Sequence, residues 1–165
     1  MSKSNEKTPT QRWHFTILGE PFGKLNMQPC RRGSHVTTFS PKKNTDYMER
    51  VIFNVLQSIT EEQKSLGSDD KSLFRVVIFA WYPIPKSTSK VKTQKMLTDL
   101  IRPTRKPDVD NISKVILDGI SKIQAYGLWK DDSQVVEEHI YKFYSEQPRV
   151  EVMIQNFTIN GRFDL

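Results

Sequence analysis

The chain has 165 residues, of which 36% are hydrophobic and 27% charged, and a formal net charge of +6. That length suits one domain with a full apolar core and needs no disulfides. The single cysteine, Cys30, excludes an intramolecular disulfide and the cysteine-based zinc motifs, and the positive charge points to a polyanionic partner.

The start, MSKSNEKTPTQ, is polar and aperiodic, so residues 1–11 are expected to be a disordered tail. It has no apolar centre of the signal-peptide kind, and no apolar run reaches transmembrane length. The expected setting is the cytoplasm. RWHFTILG places Trp13, Phe15 and Ile17 on one face of a strand. The following EPFGKLNMQPCRRGSHVTTFSPKKNTD has no clear period and reads as a long loop with room for a short hairpin; Arg31 and Arg32 lie in it.

DYMERVIFNVLQSITEEQ is a helix by period, with Met48, Val51, Ile52, Val55, Leu56 and Ile59 on one stripe. Thr45 or Asp46 is its expected cap, and LGSDDKS its break. LFRVVIFAWYPI is a strand closed by Pro83 and Pro85. The insert from Lys86 to Lys106 carries seven basic residues and one acidic residue. Its basic side chains are Lys86, Lys90, Lys92, Lys95, Arg102, Arg105 and Lys106. A short helix is expected inside it, docked by Met96, Leu97, Leu100 and Ile101 and stopped by Pro103. On charge alone it is equally a DNA-contacting segment or a solvated basic face.

RKPDVDNISKVILDGI comes next. Pro107 disfavours helix at Lys106, so a helix starts at or after Asp108. Ile112, Val115, Ile116, Gly119, Ile120 and Ile123 form its buried stripe. AYGLWKDDSQ is a turn, and QVVEEHIYKFY and PRVEVMIQN are strands, with Val150, Val152 and Ile154 alternating in the second. The order β, loop, α, β, insert, α, β, β predicts a single α/β (α+β) domain over residues 12–157, with a mixed sheet of about four strands packed with helices. Residues 158–165 are left as a C-terminal tail.

Two acidic pairs stand out in a basic chain. Asp108 and Asp110 open a helix, where capping alone explains one of them. Asp110, Lys114 and Asp118 follow at four-residue steps, which suits a surface ion pair as well as a metal ligand beside a phosphate-binding cation. Asp131 and Asp132 open a strand, and Asp-rich turns are common. An EF-hand fails for DVDN because Ile112 and Lys114 fall at ligand positions and the required glycine is absent. Taken together, the two pairs can converge at one sheet edge, where hard oxygen ligands suit Mg²⁺ or Mn²⁺ and metal-assisted phosphodiester hydrolysis. His14, His35 and His139 are scattered, and there is no HExxH, Walker A or GxGxxG motif, so no nucleotide cofactor is expected.

KPDVDNISKVILDGI followed by GLWKDDSQVVE resembles the RusA family of Holliday junction resolvases of bacteria, prophages and phages. The likeness runs through Lys106, Pro107, Asp108, Asp110, Asn111, Lys114, Asp118, Asp131, Asp132, Gln134 and Val135, about a quarter of the chain. Weaker likeness in GEPFGK and TFSPKKNTDYMERV extends it. The resemblance implies a homodimeric, Mg²⁺-dependent endonuclease that cuts four-way DNA junctions in recombination and repair. It places catalytic acids on Asp108, Asp110 and Asp132, with Asp131 a further metal ligand and Lys114 the essential lysine. Asn111, Asp118 and Gln134 become supporting residues. Two rivals stay open: a non-catalytic DNA-binding module of the same fold, and a nuclease for flaps or other branched DNA.

Overall fold

The computed structural model describes residues 12–60, 72–123 and 128–157. The two expected tails, the end of the first helix with most of its break, and residues 125–127 of the last turn lie outside these. The elements are β1 (Arg12–Leu18), β2 (Gln28–Arg32), β3 (His35–Phe39), α1 (Lys42–Ser58), β4 (Leu73–Pro83), α2 (Lys90–Leu97), α3 (Val109–Ser121), β5 (Val135–Ser145) and β6 (Arg149–Phe157). A 3-10 turn, Asp132–Gln134, leads into β5.

Four strands form one mixed sheet in the order β1-β6-β4-β5. β4 and β5 are parallel, and the other neighbours are antiparallel. β2 and β3 form the hairpin inside the long loop. The domain is α+β, as the order of elements predicts.

Strict alternation builds β4: Phe74, Val76, Ile78, Ala80 and Tyr82 are all buried on one face. α1 and α3 cover that face. The α3 stripe is the expected one, with Ile112, Val115, Ile116 and Ile120 fully buried. Each buried isoleucine contributes about 1.5–3 kcal/mol. Gly119 belongs to the same stripe because α1 passes close by, and a methyl group there would meet Val51 at 3.0 Å. The opposite face of the sheet carries Trp81 stacked on Phe143, with centroids 4.6 Å apart. Arg149 lies over Trp81 and Arg102 over Phe143.

Two local expectations are corrected. α1 starts at Lys42 with Pro41 as its N-cap and no side-chain cap bond, a turn earlier than Thr45 or Asp46. The reason is Asn44, which is fully buried. Its side chain accepts from the Leu25 amide at 2.8 Å and donates to the Leu25 carbonyl at 2.9 Å, tying the first turn to the preceding loop. In the basic insert, Met96 is buried and Ile101 packs against the core, but Leu97 and Leu100 are exposed. α2 is only eight residues long, so one contact side serves it.

Candidate functional site

α3 begins at the C-terminal end of β4. The Tyr82 hydroxyl, near that end, donates to the Pro107 carbonyl at 2.9 Å. Asp108 is the N-cap of α3, yet its side chain makes no cap hydrogen bond. Its carboxylate is 54% exposed and 3.7 Å from the Lys106 ammonium. The capping explanation requires the oxygen to accept from the first-turn amides, and here it does not. Asp110, in the first turn, accepts from Lys114 Nζ at 3.1 Å. That hydrogen bond is the main reason its pKa is held below the ordinary carboxylate value.

Two exposed carboxylates at one helix start, of which Asp108 makes no cap hydrogen bond, fit a Mg²⁺ ion chemically. Mg²⁺ keeps several waters and takes one or two carboxylates along with substrate phosphate oxygens. Asp108 and Asp110 are the residues that would hold it. Asn111 adjoins them on the other side, where its carbonyl accepts from the Lys24 amide at 2.7 Å.

The second acidic pair lies elsewhere. Asp131 is the N-cap of the 3-10 turn; its carboxylate accepts from the Ser133 amide at 2.9 Å. The Ser133 side chain is the main cause that holds its pKa below the ordinary carboxylate value, and the amide bond adds to it. Gln134 completes the capping box by accepting from the Asp131 amide at 3.4 Å; it also accepts from the Lys130 amide at 2.8 Å and donates to the Ser72 carbonyl at 2.8 Å. Gln134 therefore ties the turn to the start of β4. Asp132 is exposed and takes no part in the cap.

Asp131 and Asp132 share a shallow cleft with Lys24, Asp118, Ser121, Lys122 and Lys130, beside the last turns of α3. Ten residues of helix separate Asp108 from Asp118, which is about 15 Å of rise. The pairs thus sit at opposite ends of one helix and do not meet at one sheet edge. Among the described residues no three His, Cys, Asp or Glu side chains come together to hold a metal. The cause is topological. α3 runs back alongside β4, so β5, which is parallel to β4, must begin at the far end.

The basic residues divide into two groups. Lys86, Lys90, Lys92 and Lys95 lie on and before α2, which joins the sheet at the Asp108 end. Arg102 and Arg105 are engaged by the protein. Arg102 donates to the Lys142 carbonyl at 3.2 Å, and Arg105 donates to the Pro83 carbonyl at 3.4 Å and lies over the Tyr82 ring. Arg31 in the hairpin donates to the Gly33 carbonyl; Arg32 lies in the same strand. Asp118 forms an ion pair with Lys24.

Lys24 lies outside the acidic motif, although GEPFGK held its signal. Gly23 lets that loop seat: a Cβ there would stand 2.5 Å from Pro107 Cβ and 3.1 Å from Asn111 Cβ. Residues 21–26 with Lys106–Asp108 and Asn111 consequently wall a second cleft, directly beside the first acidic pair.

Residues 19–155 match the family model described as endodeoxyribonuclease RusA. The chain is also similar to a protein of Bacillus subtilis (strain 168), the "Uncharacterized protein YqaN". The two are 38% identical over 145 residues, which is 86% of this chain and 94% of the relative.

Proposed function

The chain belongs to the RusA family of endodeoxyribonucleases, and from that premise we propose that it is a divalent-metal-dependent endonuclease that resolves four-way DNA junctions by paired nicks, in recombination and repair. The observation that carries this is Asp108: an N-cap carboxylate turned away from capping, beside Asp110, at the end of the sheet where α2 presents its lysines. Asp108 and Asp110 would hold a Mg²⁺ ion, or Mn²⁺ in its place, which would supply Lewis-acid activation of the phosphate and of the attacking water. Lys114 gives up its bond to Asp110 and offers its charge to the scissile phosphate as negative charge builds there. Lys86, Lys90, Lys92, Lys95 and Lys106, with Arg31 and Arg32, bind the DNA backbone that bare carboxylates would repel. Asp131 and Gln134 shape the turn that presents Asp132.

The active unit in this reading is a homodimer. Two symmetric cuts call for two sites, and a two-fold assembly suits the symmetry of a four-way junction. The length of α3 supports the same conclusion. It keeps Asp132 away from Asp108 and Asp110 of its own chain, and a second copy would remove that separation. Mixing Asp110→Asn and Asp132→Asn chains tests this. If a site draws Asp132 from a second copy, each mixed dimer regains one intact site and nicks DNA; if every site lies within one chain, the mixture stays inactive.

The test of the function itself is cleavage of a synthetic four-way junction in Mg²⁺, compared with flap and linear duplex DNA. Preferential paired nicking of the junction is expected. Preference for the flap would reassign the enzyme to other branched DNA, and tight binding without cutting would make the chain a DNA-binding module.

A further inference from the structure

Lys142 stands on β5, at the edge of the sheet, where a lysine ordinarily extends into water. This one folds inward. Its Nζ donates to the Arg105 carbonyl at 2.6 Å and to the Pro107 carbonyl at 3.1 Å. It also lies 4.9 Å from the centre of the Tyr82 ring. Burial is the main influence on its pKa and pushes it down, with the Asp108 charge acting against that and Arg105 adding to it.

The Pro107 carbonyl accepts twice, because the Tyr82 hydroxyl reaches the same oxygen at 2.9 Å. A carbonyl oxygen has two lone pairs, so β4 and β5 each supply one donor and both are used. That carbonyl belongs to the peptide unit whose nitrogen is Asp108's own. Asp108 is not held by a capping bond of its side chain; its carbonyl accepts from the Ile112 amide at 3.2 Å, and the clamp on the preceding peptide fixes its other side. A lysine suits the task. It brings three donors and no acceptor on a long stem, and can span two carbonyls two residues apart.

We infer that Lys142, together with Tyr82, is a positioning residue that sets the Asp108 carboxylate for metal binding through the Pro107 carbonyl. Lys142 does not touch substrate or ion; it acts through the backbone. The inference rests on the reading of Asp108 as a metal ligand. Groups that orient a metal ligand typically change metal affinity about 10- to 100-fold when removed.

The experiment is a calorimetric titration of the full-length chain with Mn²⁺, without DNA, alongside the melting temperature. Lys142→Met keeps the stem and loses the donors, and it is expected to weaken Mn²⁺ binding about 10- to 100-fold. Tyr82→Phe keeps the ring, loses one donor, and should weaken binding in the same direction by less. Lys142→Arg restores charge and donors on a bulkier fork and should recover part of the loss. A merely structural lysine would lower the melting temperature and leave the Mn²⁺ affinity of the folded chain unchanged; that result overturns the assignment. If Lys142→Met does not fold, Tyr82→Phe decides, and affinity within about twofold of wild type overturns it. A wild-type chain that binds no Mn²⁺ would remove the metal reading of Asp108 and Asp110 and this inference with it. Wild-type binding that both variants retain would remove the inference alone.

Discussion

Gly23→Ala probes whether the loop after β1 is part of the site. The added methyl carbon would stand 2.5 Å from Pro107 Cβ and 3.1 Å from Asn111 Cβ. Carbon atoms rest about 3.5–4.0 Å apart, so the first approach is short by an ångström or more. Neither neighbour can yield cheaply. Pro107 is a closed ring whose carbonyl is held by Tyr82 and Lys142. Asn111 sits on α3, anchored by Ile112 and Val115. The loop must therefore lift, and the Lys24 amide bond to the Asn111 carbonyl and the Lys24–Asp118 pair stretch with it. Overpacking costs about 1–3 kcal/mol, and breaking a backbone hydrogen bond about 1 kcal/mol more. A total of about 2–4 kcal/mol in a domain of this size lowers the melting temperature by roughly 5–15 °C. Thermal unfolding reads the stability, and single-turnover junction cleavage reads the site, which should slow because its wall has moved. Gly33→Ala is the control. It has positive φ but open space around it, so it should cost about 1–2 kcal/mol of backbone strain and leave cleavage alone. A Gly23→Ala chain as stable and as active as wild type would mean that the loop does not seat on Pro107 and Asn111.

Asp110→Asn should bind the junction and fail to cut it; a near wild-type rate in Mg²⁺ would reduce Asp110 to a charge that suits a helix start. Lys114→Ala should cost under about 1 kcal/mol of stability while single-turnover cleavage falls about a hundredfold or more, and Lys114→Arg should restore only part of it. Replacing Lys90, Lys92 and Lys95 by Gln should flatten the salt dependence of junction binding, by about 0.9 in log–log slope for each phosphate that is no longer neutralised; an unchanged slope makes α2 a solvated face. Asp131→Ala should lose its cap, melt at a lower temperature and keep cutting, whereas Asp132→Asn should keep its melting temperature and stop; equal behaviour in the two variants would erase the division of labour.

Much of the fold is legible in the sequence because its signals are local. Alternation at Trp13, Phe15 and Ile17, the 3.6-residue stripe of α3, and the bar that Pro107 sets against helix at Lys106 each act within a few residues. The departures come where distant partners prevail. Asn44 draws the start of α1 a turn early because its amide serves Leu25, in a loop whose path no local signal orders. Leu97 and Leu100 have the composition of core residues, but α2 is too short to bury more than Met96 and leave Ile101 to follow it. The close seat of Gly23 on Pro107 joins segments more than eighty positions apart in the chain. A lone glycine in a loop does not announce which backbone it approaches.

The site divides along the same line. That Asp131 would be used in capping could be read from D-x-x-Q, since Gln three residues after an aspartate is a capping-box pattern. That Asp108 would not be used in capping could not be read, because an aspartate before a helix looks the same in both roles. Only the missing bond to the first-turn amides distinguishes them. The two acidic pairs are close in the motif and about a helix length apart in space. The reason is that the segment between them is that helix: the apolar stripe of DNISKVILDGI is buried against α1 and the sheet, and its ends cannot be drawn together without unpacking Ile112, Ile116 and Ile120. One chain can therefore bring Asp132 to Asp108 only by giving up its own core. A second copy gives up nothing, and for that reason the mixed-chain cleavage experiment tests the dimer and the metal site at once.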